Sequence, residues 1–282
     1  ESLKSNNIVH SYLFYGKEGI GKKEFAIQFA KGLLCISEEN RPCNECKSCI
    51  EFSTKNNPDF FIVVPDGNSI KINQIRLIQK TIIEKPINNS KKVYIIDDAD
   101  KMTVEAQNCL LKTLEEPQDF IVIILIASDE NKLLNTVKSR CTKIYFQEIT
   151  NDEILKYIKG KNCDVHFDES MLELCEGSIG KALKILDQKD KIEKLKVIVE
   201  QIDIMNDLEI LNCNQYFYEN KEDIDFLLDY MYILIFKKLK SNFNKKYINA
   251  LEEIQKAKHK LANSNNFDMT IDNMLIKIWG DF

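Results

Sequence analysis

SYLFY at residues 11–15, GKEGIGKK at 16–23 and EFAIQFAKGLLC at 24–35 form one uninterrupted passage, and its reading decides the fold. The first five residues are dense in aromatic and aliphatic side chains and read as a buried strand. Lys22–Cys35 reads as a helix. Between them Gly16–Lys22 matches G-x-x-x-x-G-K in the strand–loop–helix setting that motif requires. Gly16, Gly19 and Gly21 let the backbone turn its N–H groups toward a phosphate, the helix dipole adds attraction, and Lys22 is placed to reach the β- and γ-phosphates. The competing reading is an ordinary glycine-rich turn. Lys23 stands where a hydroxyl residue normally ligates Mg²⁺, so a weaker metal site and impaired hydrolysis are expected.

Outward from this passage the first half alternates. Asp59–Val64, Val93–Asp97, Ile121–Ala127 and Lys143–Phe146 each read as a further buried strand. Ile70–Ile83 and Val104–Glu115 read as helices, the latter stopped by Pro117. Strand–helix alternation predicts a mostly parallel sheet with helices on both faces. After Glu148 strand signals vanish; Asp152–Ile158, Glu169–Cys175 and Lys181–Leu186 read as short helices, with Thr150 as an N-cap. Longer amphipathic helices follow, including Asp223–Lys240 and Lys245–Leu261. The expected layout is an α/β domain over 1–149, a small helical domain over 150–190 and an all-α domain over 191–282.

Composition narrows the function. The 282 residues are 44 % apolar and 29 % charged, with 9 Gly and 5 Pro, which excludes collagen-like and disordered classes. The longest near-apolar run, Phe226–Phe236, spans 11 residues and carries Asp229, far short of the roughly 20 a membrane span needs. The net charge of −5 lacks the basic excess of a strong autonomous DNA binder. The chain opens at Glu1 rather than Met, so a few residues are expected to precede it, and its polar N-terminus carries no signal segment. With 9 cysteines, an odd number, full disulfide pairing is impossible, and a reducing, cytoplasmic setting is expected.

Two constellations carry chemistry besides the loop. VYIIDDAD at 93–100 is an apolar strand ending in acids, at the sheet edge where ligands of α/β folds bind. Asp97 fits a Mg²⁺ ligand; Asp98 occupies the water-activating place with a shorter reach than Glu. Cys35, Cys43, Cys46 and Cys49, spaced C-x7-C-x2-C-x2-C, suit a closed, structural zinc site, with free thiols or a redox pair as the alternative. Cys109, Cys141, Cys163, Cys175 and Cys213 read as small packing residues.

Together these features resemble the AAA+ clamp-loader subunits of bacterial DNA polymerase III. The likeness rests on HSYLF at 10–14, the 16–23 loop, the four-cysteine insertion, IIDDADKMTVEAQNCLLKTLEEP at 95–117 and SRC at 139–141, and covers about residues 8–187. It implies an AAA+ domain with the zinc module at about 35–49, a helical lid and a C-terminal collar. Two branches of that family carry the cysteine insertion, the motor (gamma/tau) and the delta-prime branch. Lys23, Asp98 and Gly180, the last within GSIGKAL at 177–183 where the motor has a sensor-2 Arg, depart from the motor pattern, so the resemblance is to the delta-prime branch.

The resemblance further implies a stator role in a five-subunit ring with gamma/tau and delta subunits, which loads the sliding clamp onto primed DNA. By matching motif, Arg140 becomes an arginine finger for a neighbouring subunit's ATP site, and no polymerase (nucleotidyltransferase) site is found in the chain itself. Glu115 and Glu116 read as helix-end surface charges, and Lys237, Lys238, Lys240, Lys245 and Lys246 as a solvated helix face. Phe226, Leu227, Tyr230, Ile233 and Leu234 are candidates for core or collar packing. Whether ATP with Mg²⁺ fills the loop stays open, as do an active motor and a zinc-binding scaffold of another assembly.

Overall fold

The computed structural model describes residues 8–37, 40–160, 167–201, 204–205, 207–263 and 266–280; Cys163 lies outside them. The chain divides into two compact units, Glu1–Ile149 and Thr150–Phe282.

In the first unit β1 (Ser11–Tyr15) leads into α1 (Lys22–Leu33) and α2 (Lys47–Ser53), then β2 (Phe60–Val63), α3 (Ile72–Ile82), β3 (Lys92–Ile96), α4 (Val104–Glu115), β4 (Ile121–Ala127), α5 (Asn135–Lys138) and β5 (Thr142–Tyr145). All strand pairings are parallel, in the order β2-β3-β4-β1-β5. Side-chain alternation along the strands splits the core into two layers. Leu13, Tyr94, Ile96, Ile123 and Leu125 face α3 and α4 through Ile75, Ile78, Ala106 and Leu110. Tyr12, Phe14, Ile95 and Ile124 face α1, whose Ala26, Ala30 and Leu33 form an i, i+4, i+7 stripe. The small Ala26 and Ala30, both fully buried, let α1 lie close to the sheet and so fix the loop that precedes it.

Two strand expectations change. β5 was expected to be buried, yet all four of its residues are exposed; β2 is only half-buried. Each is an edge strand with a single neighbour, so its apolar residues reflect β-propensity and one covered face rather than a two-sided core.

The second unit is helical: α6 (Asn151–Gly160), α7 (Glu169–Cys175), α8 (Ile179–Asp187), α9 (Lys189–Glu200), α10 (Asp207–Glu219), α11 (Ile224–Ser241), α12 (Lys245–Ala262) and α13 (Phe267–Gly280). Thr150 and Glu153 cap α6 reciprocally, the Thr150 backbone N–H donating to the Glu153 carboxylate at 3.0 Å and the Glu153 N–H to Thr150 Oγ1 at 3.4 Å. α11 is the hub, packing on α7, α9 and α12. Phe226, Leu227, Tyr230 and Leu234 are buried in this unit's own core, and Ile233 is half-buried. Asp223 accepts from Lys191 at 2.7 Å and pairs with Lys184 at 3.3 Å, which ties α8 and α9 to the turn that starts α11.

The basic stretch is engaged locally rather than held free. Lys237 pairs with Glu169 at 3.1 Å, and Lys240 lies over the Phe236 ring at 4.5 Å. No helix among the described residues is long and apolar enough to cross a membrane.

Candidate phosphate-loop site and metal centre

The sheet order places β1 beside β4, with β5 on its other side, so the chain leaves β1 at the point where strand order reverses. The 16–23 loop sits at that crevice. Gly16 has φ +148°, and a Cβ there would collide with the Phe146 carbonyl, so the tight exit from β1 requires glycine. Gly21, at φ +93°, caps α1 without a side-chain hydrogen bond, which leaves the first N–H groups of the helix facing the cleft.

Lys22 is 5 % exposed and folds back to donate to the carbonyls of Gly16, at 2.6 Å, and Lys17, at 2.5 Å. Burial pushes its ammonium pKa down, with Asp100, Glu18, Asp98 and Asp97 pulling the other way. A cleft of about 300 Å³ opens here, walled by Gly19, Gly21, Lys22, Lys23, Asp97 and Ser128.

Asp97 and Asp98 arrive at this cleft from the end of β3, but neither is free for a metal. Lys23 Nζ lies 2.8 Å from Asp97 Oδ2, and this hydrogen bond raises the lysine's pKa. Asp98 adopts a left-handed conformation, φ 49°, and is held by Lys101 at 2.8 Å; that contact raises the Lys101 pKa in turn. Asp100 accepts the Ser128 N–H at 3.0 Å. The donors expected for Mg²⁺ are therefore taken by ammonium groups of the same chain, and the residues present do not fit a divalent cation. The loop and its helix N–H groups do fit a phosphate chain.

The four cysteines converge. Their Sγ atoms all lie within 4.8 Å of one another, close to the ~3.8 Å separation that four Zn–S bonds of about 2.3 Å impose on a tetrahedron. The Cys43, Cys46 and Cys49 N–H groups each point at the sulfur of the preceding cysteine, at 3.4 Å. Against burial, which raises it, backbone N–H groups of Ile36 and Cys49 bring the Cys46 thiol down to about 6, whereas burial pushes Cys49 up to about 12. Cys46 is also the N-cap of α2, whose Phe52 ring packs tilted against Phe60 with centroids 4.3 Å apart and whose Ser48 is bonded to Asn57. Four cysteines that can hold a metal thus anchor a small module to the start of β2. Cys175 and Cys213 are buried and Cys109 and Cys141 half-buried, as packing residues should be.

Arg140 follows α5. Its backbone carbonyl accepts from Ser11 Oγ at 2.6 Å, Nη1 donates to the Thr136 carbonyl at 2.8 Å, and Nη2 pairs with Glu115 at 2.7 Å. Glu115, read from sequence as a surface charge, is thus an exposed residue that nonetheless orients the guanidinium; Glu116 is exposed. In the second unit Gly180 lies in the first turn of α8, and the neighbouring Lys181 pairs with Glu176 at 2.9 Å.

Two structural anchors escaped the sequence reading. Gln107, 2 % exposed, donates to the Met102 and Lys132 carbonyls at 3.2 and 3.1 Å and accepts the Leu134 N–H at 2.7 Å. It joins the segment after the acidic strand to the one leading to Arg140. Asp59, fully buried, accepts backbone N–H bonds from Ile87, Asn88 and Asn89 at 2.7–3.0 Å. A polar residue inside an apolar pattern was the available signal for both.

A parallel β2-β3-β4-β1-β5 sheet with helices on both faces, a glycine-rich loop at its switch point and a four-cysteine module defines a phosphate-loop protein of the AAA+ class. Residues 1–150 match the family model described as DNA polymerase III, delta subunit, and the chain belongs to that family. It is 40 % identical over 148 residues to the DNA polymerase III subunit delta' of Bacillus subtilis, covering 52 % of this chain and 45 % of that one. It is 31 % identical over 207 residues to the gamma/tau subunit of Mycoplasma pneumoniae, covering 70 % and 30 %. The chain spans less than half the length of these curated relatives. In fold it resembles a DNA polymerase III gamma subunit-related protein of Thermotoga maritima, with a TM-score of 0.52, 19 % identity and 99 % of both chains covered.

Proposed function

We propose that this chain is a delta-prime-type stator of a bacterial clamp loader. It forms a ring of five with gamma/tau and delta subunits in the cytoplasm, helps load the sliding clamp onto primed DNA, and turns over little or no ATP itself. One observation carries this reading. The acids that would run hydrolysis are neutralised by Lys23 and Lys101 of the same chain, while Arg140 keeps a partly exposed guanidinium. A chain with a silenced centre and an intact arginine is suited to serving a neighbour's reaction rather than its own. Arg140 then acts in trans, offering paired donors to charge developing on a transferred phosphoryl group.

On this reading Cys35, Cys43, Cys46 and Cys49 hold a structural Zn²⁺ that supplies folding energy and no open coordination position. Residues 150–190 act as the lid and 191–282 as the collar that joins the ring. The test is reconstitution with gamma/tau and delta subunits, reading ATP turnover stimulated by clamp and primed DNA. Arg140→Ala should assemble normally and lower turnover several-fold. Unchanged turnover in a complete ring removes the trans role, and failure to enter the ring removes the stator assignment.

A further inference from the structure

We infer that the 16–23 loop is a metal-independent polyphosphate site, in which the Lys23 ammonium stands permanently where a divalent cation would otherwise sit. The inference rests on the phosphate-loop reading of Gly16–Lys23 and is separate from the family assignment.

The geometry carries it. Lys23 Nζ lies 2.8 Å from Asp97 Oδ2, the carboxylate placed at the strand end to hold a metal. An ammonium has three donors, and Asp97 takes one of them. The Lys23 side chain is 45 % exposed, and the residue lines the same cleft as the loop glycines, so its other donors are open to a ligand. Lys22 spends two donors on the Gly16 and Lys17 carbonyls and keeps a third. Uncapped N–H groups at the start of α1 complete a set of positive partners for a diphosphate.

A divalent ion entering this cleft would meet two ammonium groups and would have to displace Lys23 from Asp97. Asp98 offers no substitute, since Lys101 holds it at 2.8 Å. Like charges at such range repel in any protein environment. The ligand class that fits is therefore a nucleoside di- or triphosphate stripped of its metal, bound by lysines and backbone and left unhydrolysed.

The experiment is calorimetric titration of ADP and of ATP into the full chain, once in EDTA and once in millimolar Mg²⁺, with a thermal-shift measurement alongside. Binding in EDTA at least as tight as in Mg²⁺ is expected. Lys23→Thr should weaken binding in EDTA roughly tenfold, the loss of one charge-assisted contact, and should make Mg²⁺ favourable. Circular dichroism verifies that this variant, changed at a half-exposed position, is folded. Binding that requires Mg²⁺ in the unaltered chain overturns the inference while the phosphate-loop reading stands. No binding under either condition overturns both, and family membership is untouched. A Lys23→Thr variant that binds like the parent in both buffers also overturns it.

Discussion

Replacing Gln107 by Leu tests whether one buried amide holds the segment that carries Arg140. The side chain is 2 % exposed and makes three hydrogen bonds, to the Met102 and Lys132 carbonyls and from the Leu134 N–H. Leu keeps most of the volume and removes all three. The stranded Leu134 N–H costs about 1–3 kcal/mol, and the two carbonyl bonds add about 0.5–1.5 kcal/mol each before any rearrangement. Because the groups share one pocket these do not sum, and a loss of about 3 kcal/mol is the expected outcome. Fluorescence would report the wrong half, since the single tryptophan, Trp279, lies in the second unit. Amide hydrogen exchange resolves the first unit directly. Leu134 and the β4 amides should exchange roughly 100-fold faster, because each 1.4 kcal/mol is a factor of ten. The exposed neighbour Asn108, changed to Ala, should shift exchange by under ~0.5 kcal/mol. A Gln107→Leu effect below about 1 kcal/mol would refute the claim that the bridge holds the two segments together.

Metal removal should act locally: chelation, or Cys46→Ser, is expected to deprotect amides over 43–57 while β3 and β4 stay protected, with one zinc per chain lost by elemental analysis. Asp59→Ala takes the carboxylate acceptor from three backbone N–H groups and should cost about 1.5–3 kcal/mol in urea unfolding followed by far-ultraviolet circular dichroism. Asp223 has its pKa held down to about 2, chiefly by the hydrogen bond from Lys191, with Gln188 and Lys184 assisting. A depressed acid contributes stability above its unfolded pKa, about 3.9, and loses it as pH falls through the folded value. Asp223→Asn should therefore flatten the stability of the second unit between about pH 4 and 2, measured by Trp279 fluorescence.

The parallel sheet was legible because β1, β3 and β4 are continuous apolar runs bounded by motif residues, and their bounds fall within a residue of expectation. β5 misled because TKIY reads as strand without revealing that only one neighbour covers it. The cysteine module was legible because ligand spacing is a local property. The pairing of Lys23 with Asp97 was not, since the two are far apart in sequence and meet only when α1 and β3 share the sheet edge. Gln107 is a polar residue on the buried side of an amphipathic helix, which marks it in the sequence, but its partners Lys132 and Leu134 lie 25 and 27 residues away and are not legible there.

The departures at 23 and 98, taken with the Asp97 that Lys23 engages, are better understood as one arrangement than as separate losses. With Lys23 in place, Asp97 is satisfied at 2.8 Å and no longer calls for a metal. Without that metal, a carboxylate beside it has no water to activate, and Asp98 is free to turn into a left-handed conformation and bind Lys101. It follows that restoring a hydroxyl alone should not restore catalysis. Lys23→Thr is expected to make room for Mg²⁺ yet leave steady ATP turnover at background, because Asp98 remains bound to Lys101 and no longer carboxylate takes its place. Turnover rising in Lys23→Thr alone would show that Lys23 was the sole block and that Asp98 is competent. If only Lys23→Thr combined with Asp98→Glu turns over ATP, the two positions form a single coupled lock. Arg140 lies outside that lock, tied to Glu115 and Thr136 rather than to the acidic cleft. Its effect on a neighbouring subunit should therefore be the same whether the lock is closed or opened.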